Sequence, residues 1–69
     1  MKTMDSRLAV SIIMEAQKTK QAVYLKRGFI QVDAKSILGV MSLVDIDNID
    51  VITNDMDVMD NIYRLLEEA

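Results

Sequence analysis

The sequence contains no cysteine and no histidine. Without cysteine the chain can form no disulfide, and without either residue it has little prospect of a structural zinc site. Histidine is also the commonest general base of enzymes and the commonest neutral metal ligand. No other grouping of base, nucleophile and oxyanion donor takes its place. The sequence therefore predicts a protein that is not an enzyme and that holds no metal or cofactor.

Long apolar runs and linker sequences are absent as well. Proline does not occur and glycine occurs only twice, so no linker divides the 69 residues and we predict a single domain over residues 1–69. No apolar run approaches the length of a membrane span, and the first residues, MKTMDSR, contain no apolar signal-peptide core. We therefore expect a cytoplasmic protein that makes no contact with membranes.

Charge is unevenly distributed along the chain, which has a net charge of −3. Most bases lie at or before Lys35, and most acids lie after it. The bases are not interleaved with aromatic residues and no reading helix accompanies them, so we expect no nucleic-acid binding. The acids Asp45, Asp47 and Asp50 do not match a calcium-binding EF-hand loop. Their spacing differs from that of such a loop, and its central glycine and closing glutamate are missing.

The spacing of apolar residues predicts the first three elements of secondary structure. Helical spacing begins after an N-cap at Asp5 or Ser6 and ends near Lys18. The spacing then changes to alternation, and Gly28 interrupts it at a position that suits a tight hairpin. The side chains expected on the core side of these elements are Leu8, Ala9, Ile12, Ile13, Ala16, Val23, Leu25, Ile30 and Val32.

Three further elements complete the order α-β-β-α-β-α. They are a short helix capped by Ser36, a strand over Ile49–Thr53 and a last helix capped by Asn54 or Asp55. This order predicts an α+β open-faced sandwich, with an antiparallel sheet of three strands and all three helices on one face. The apolar side chains expected on the open face of the sheet are Tyr24, Phe29 and Ile52.

The short helix carries more apolar surface than one core contact requires. Its sequence is KSILGVMSL, residues 35–43. The apolar positions, counted through residue 44, cover roughly 220° of the helical wheel, about twice the minimum width of a core-facing stripe. They form two groups on the wheel, Ile37, Leu38 and Met41 in one and Val40, Leu43 and Val44 in the other. Either one group docks a different protein, or both are buried in a homodimer.

The order of elements and the segment DAKSILGVMSL together resemble HPr, the small phosphocarrier family of the bacterial sugar phosphotransferase system. KSILGVMSL is similar to the regulatory segment of that family. SRLA, residues 6–9, resembles the start of the active-site helix, in which a phosphorylated histidine precedes a conserved arginine. The resemblance runs without gaps from Asp5 to Asn54 and more loosely through the last helix, and it implies the HPr-like fold.

The resemblance also implies roles for individual residues. Asp5 falls on the phosphorylatable histidine and Arg7 on the arginine that binds the phosphoryl group. Ser36 falls on the serine that the family's kinase/phosphorylase modifies, with Lys35 beside it as a cation. The predicted partner-binding residues are Arg7, Val10, Ile37, Leu38 and Met41. The partners implied are an HPr kinase/phosphorylase-like protein or a catabolite-control-regulator-like protein.

Two departures from the family shape the functional prediction. A chain without histidine cannot pass on phosphate as the family's carriers do. The family's first strand also precedes the active-site loop and covers the last strand, whereas only Met1–Met4 precede Asp5. We therefore expect an unpaired strand edge over Ile49–Thr53 and a homodimer formed there, either edge to edge or with Met1–Met4 of one copy as a short fourth strand in the other.

These observations lead to two functional hypotheses. The first is an HPr-like regulatory module that binds other proteins and is not a competent phosphohistidine carrier. The alternative is a small homodimeric assembly module that has no connection with sugar uptake.

Overall fold

The computed structural model describes residues 4–68, which form three helices and three strands in the predicted order. The elements are α1 (Ser6–Ala16), β1 (Val23–Arg27), β2 (Ile30–Asp33), α2 (Ile37–Met41), β3 (Asp50–Thr53) and α3 (Met56–Glu68). The predicted α+β class, element order and open-faced sandwich are confirmed. The segment Met1–Met4 was considered above as a short fourth strand, and its first three residues lie outside the described residues.

The strands form one antiparallel sheet in the order β2-β1-β3. β1 is therefore central, and its Leu25 pairs with Val32 on one side and with Val51 on the other. Gly28, in the turn between β1 and β2, has a φ of 60°. Glycine adopts this conformation without steric cost, so the predicted tight hairpin is formed where the sequence indicates.

The helices lie on one face of the sheet and enclose a single core. α1 packs against both α2 and α3, while α2 also contacts β2 and α3 contacts β3. A Cβ atom on Gly39 of α2 would lie only 3.2 Å from the Cβ of Val32, so glycine allows this helix to approach β2 closely. The buried core residues are Met4, Leu8, Ala9, Ile12, Ile13, Ala16, Val23, Leu25, Ala34, Val40, Leu43, Ile49, Val51, Val58 and Ile62. Within residues 4–68, no helix is long and apolar enough to cross a membrane.

One predicted core residue is exposed. Ile30 was assigned to the buried side of the hairpin by alternation, but it is 54% exposed. Its partner in the register is Arg27, at the end of the sheet next to the turn, where the side chains of both strands are exposed. Val32, two residues further from the turn, packs against the core. The prediction for Ile30 is wrong because alternation gives the face of a strand and not how far the helices extend along it.

The carboxylate of Glu15 links α1 to α3 by a hydrogen bond. Glu15 accepts a hydrogen bond from the side-chain amide of Asn61 at 2.9 Å and another from the ammonium of Lys18 at 3.0 Å. The hydrogen bond from Asn61, and then that from Lys18, lower the pKa of the Glu15 carboxyl below its usual 4.5. Hydrogen bonds from Thr19 and from the backbone of Val58 likewise lower the pKa of Asp55.

The contact between α1 and α3 should make stability depend on pH. Because the pKa of Glu15 is lower in the folded state, its contribution is present above pH 4.5 and is lost as the pH falls through the folded-state value. We expect Glu15→Gln to lower the melting temperature at neutral pH by up to roughly 4–8 °C, the shift that about 1 kcal/mol produces in a domain of this size. Melting curves recorded from neutral pH to about pH 3 should also decline less steeply for this variant. Asp60→Asn, a change at an exposed carboxylate of α3, is the control, and equal pH dependence of all three proteins would contradict the prediction.

Candidate protein-docking site

The first turn of α1 is fixed by a capping hydrogen bond. Oδ1 of Asp5 accepts a hydrogen bond from the backbone N–H of Leu8 at 2.8 Å, so Asp5 is the N-cap that the sequence predicts. The side chains of Asp5 and Arg7 are exposed and border a shallow groove with Ser11 and Leu65. Asp5 therefore has a structural role as a helix cap.

Ser36 caps α2 in the same manner. Its hydroxyl oxygen accepts a hydrogen bond from the backbone N–H of Gly39 at 3.3 Å. The ammonium of Lys35, the cation next to Ser36 in the sequence, contacts a different loop. It donates a hydrogen bond of 2.7 Å to the backbone carbonyl of Thr19, because that carbonyl, in the loop after α1, lies within its reach. Ser36 is therefore half-buried at the start of α2, and the ammonium of the neighbouring Lys35 binds the loop after α1.

The two apolar groups of the KSILGVMSL segment differ in burial, as the wheel predicts. Val40 and Leu43 are at most 1% exposed and belong to the core. The other group consists of the residues that we call the docking face: Ile37 at 58% exposure, Leu38 at 83% and Met41 at 38%. The helix is shorter than predicted, since α2 ends at Met41 and the chain continues through hydrogen-bonded turns to Ile46. This shortening does not alter the division into two faces.

α1 contributes further exposed apolar surface. Val10 is 46% exposed and Met14, one turn further along, is 63% exposed. The helix that carries them packs against α2. Val10 was predicted as a partner-binding residue and Met14 was not, although the same four-residue spacing places both on one strip of the helix.

The outer edge of β3 differs from the sequence prediction. The strand begins at Asp50, one residue later than expected. Within residues 4–68 no strand pairs with its outer edge, but the edge is not bare, because the backbone N–H of Val51 donates a hydrogen bond of 3.0 Å to the hydroxyl of Tyr63 on α3. Sequence reasoning missed this contact, since Tyr63 lies on the apolar stripe of α3 and reads as a core residue.

A groove lies between the β3 edge and α3, which we call the β3 groove. Its volume is about 520 Å³. It is lined by Ile46, Asp47, Asn48, Ile49, Asp50, Tyr63, Leu66 and Glu67. The lining thus combines apolar side chains with the three acids Asp47, Asp50 and Glu67.

Comparison with known protein families identifies the family of this chain. The model of the PTS-HPr family, described as the PTS HPr component phosphorylation site, matches residues 2–68. The chain belongs to the HPr family. Among solved structures, this HPr-family protein is similar to Crh, a catabolite repression protein of Bacillus subtilis. The two share a TM-score of 0.81 and 26% sequence identity over 99% of this chain and 85% of the Crh chain.

The Crh structure is described as an intertwined dimer with a swapped domain. A comparison with curated protein sequences finds no match. The family assignment agrees with the resemblance found in the sequence and accounts for the open-faced sandwich.

Proposed function

We propose that this HPr-family protein is a cytoplasmic regulatory module that binds other proteins through α2 and is neither an enzyme nor a phosphohistidine carrier. The observation that carries the proposal is the exposure of the docking face beside Ser36. Leu38 is 83% exposed, whereas Val40 of the same helix and Leu43 just after it are buried in the core. Folding leaves most of the Ile37 and Leu38 side chains exposed to solvent, and contiguous exposed apolar surface is typical of interaction sites.

The proposed partner is an HPr kinase/phosphorylase-like or catabolite-control-regulator-like protein. We propose that Arg7 and Val10, which are exposed on α1, also take part in binding; α1 is the helix that packs against α2. A mixed surface of apolar residues with one arginine has the composition common at the centre of protein interfaces. The similarity to Crh, a catabolite repression protein, supports a regulatory role.

Phosphorylation of Ser36 tests this proposal. Incubation with ATP and an HPr kinase/phosphorylase should label Ser36, and phosphopeptide mapping by mass spectrometry should find the label at no other serine. Ser36→Asn should remove the label while keeping the fold, because asparagine caps a helix about as well as serine does. Ser42→Ala, at the other end of α2, should leave the label unchanged. Labelling of Ser6, Ser11 or Ser42 with Ser36 unmodified would contradict the proposed role.

Two observations favour the alternative function, a homodimeric assembly module. The similar protein Crh is a dimer with a swapped domain, and the β3 edge of this chain has no strand partner among residues 4–68. Met4 is buried in its own chain and exchanges backbone hydrogen bonds with Asp45 and Ile46. Antiparallel pairing of two Ile49–Thr53 edges would keep these contacts within each chain, and we favour it over exchange of Met1–Met4. Sedimentation equilibrium would distinguish a mass near 7.8 kDa from one near twice that value.

A further inference from the structure

The hydrogen bond from Val51 to Tyr63, which we call the edge cap, shows which backbone groups of β3 face outward. In an antiparallel sheet, the N–H and C=O of one residue point to the same side of the strand, and the side alternates along the chain. The N–H of Val51 is bound by the Tyr63 hydroxyl at 3.0 Å, on the side away from β1. The ladder to β1 is therefore made by the neighbouring residues Asp50 and Ile52, which pair with Lys26 and Tyr24.

An added strand would need the position that the Tyr63 hydroxyl occupies. Two β3 strands that pair antiparallel about a two-fold axis at Val51 exchange two N–H to C=O hydrogen bonds between the two Val51 residues. In this register each Asp50 lies opposite Ile52 of the other copy, so the acids are not directly opposed. The hydroxyl and the incoming carbonyl compete for one N–H, and both cannot bind it at hydrogen-bond distance.

Tyr63 can leave the edge without leaving the core. The residue is half-buried and packs against the core, and its hydroxyl oxygen lies 3.0 Å from the backbone nitrogen of Val51. The β3 groove, about 520 Å³ in volume, lies directly beside this ring. Rotation of the ring towards the groove would free the Val51 N–H while the rest of the α3 packing stays in place.

We propose that the edge cap regulates dimer formation: the Tyr63 hydroxyl closes the β3 edge in the monomer and is displaced when the β3 edge of a second copy binds. The proposal rests on the homodimer described above as the alternative function. Each dimer loses two Tyr63 hydrogen bonds and gains two hydrogen bonds between strands. Because the number of hydrogen bonds is the same in the monomers and in the dimer, removal of the Tyr63 hydroxyl alone should shift the equilibrium towards the dimer.

Sedimentation equilibrium of three proteins tests the proposal. Tyr63→Phe keeps the ring and removes only the hydroxyl, and its dimer dissociation constant should fall about thirtyfold, the factor expected when two ordinary neutral hydrogen bonds no longer oppose association. Tyr24→Phe, at the other tyrosine of the chain, should dissociate as the unaltered protein does. Amide exchange supplies a second measurement, since the Val51 N–H of Tyr63→Phe should exchange fast when dilute and slowly when concentrated.

The outcomes separate the edge cap from the dimer itself. Equal dissociation constants for the unaltered protein and Tyr63→Phe would overturn the edge cap and leave the homodimer standing. Monomers at every concentration, in all three proteins, would overturn both. A dimer of Tyr63→Phe that persists after Val51→Pro, which removes the N–H in question, would place the interface elsewhere and overturn the edge cap. In the unaltered protein, NMR signals of the Tyr63 ring should shift with the same concentration dependence as the measured mass, and constant signals across dimerisation would also overturn it.

Discussion

Replacement of Leu43 by aspartate is expected to unfold the protein. Leu43 is 1% exposed and lies in the core. Truncation of such a leucine typically costs about 2–5 kcal/mol, and the aspartate adds an unpaired charge in apolar surroundings. A domain of 69 residues has a net stability of roughly 3–5 kcal/mol, so the cost equals or exceeds all of it. Circular dichroism at room temperature should show the loss of the helical signal.

The same substitution at Leu38 is the matched control. Leu38 is 83% exposed on the docking face, so Leu38→Asp should keep the fold and melt within a few degrees of the unaltered protein. It should nevertheless abolish binding to the regulatory partner, because it places a charge at the centre of the proposed interface. Met41 is 38% exposed, and Met41→Asp should therefore lose binding together with a part of the stability. Unfolding of Leu38→Asp to the same extent as Leu43→Asp would show that the two-face division of α2 is wrong.

Phosphoryl transfer from phosphoenolpyruvate through Enzyme I is expected to be absent. Carriers of the HPr family use an imidazole nitrogen, and this chain contains no histidine. Asp5, the residue that the sequence resemblance matches to the family's histidine, caps α1 through its 2.8 Å hydrogen bond from Leu8. Incorporation of labelled phosphate should stay at background under conditions in which an authentic HPr is labelled fully. Intact-mass measurement should show a single unmodified species.

Asp5→Asn is the control if phosphate is incorporated after all. Asparagine caps a helix as well as aspartate does but offers no carboxylate nucleophile. Phosphate that is found on Asp5 by mass spectrometry, and that Asp5→Asn abolishes, would overturn the prediction and show that the chain is an acyl-phosphate carrier.

The caps of the helices illustrate which features can be predicted from the sequence. Asp5, Ser36 and Asp55 were each identified as caps or candidate caps, and each accepts a hydrogen bond from a backbone N–H three residues ahead. Capping depends on a single side chain and the next turn of backbone, so the necessary information lies within a few residues. The periodicity of apolar residues is local in the same sense, which explains why the element order and the two faces of α2 were predicted correctly.

Features that depend on distant residues were not predicted. The ammonium of Lys35 binds the carbonyl of Thr19, sixteen residues away, and not the cap at its neighbour Ser36. Ile30 has the correct alternation for a buried residue but lies beyond the reach of the helices. In both cases the local pattern is right and the outcome depends on where another segment of the chain lies.

Composition and periodicity by themselves determined the fold class, the helix caps, the absence of histidine chemistry and the two apolar faces of the short helix. Only the tertiary structure decided the state of the β3 edge, where the sequence predicts bare backbone and the hydroxyl of Tyr63 binds the N–H of Val51 at 3.0 Å. No local pattern contains this contact, since a tyrosine on an apolar stripe buries its ring in any case. Its hydroxyl finds a partner only when α3 packs across β3 and brings together two residues that are twelve positions apart.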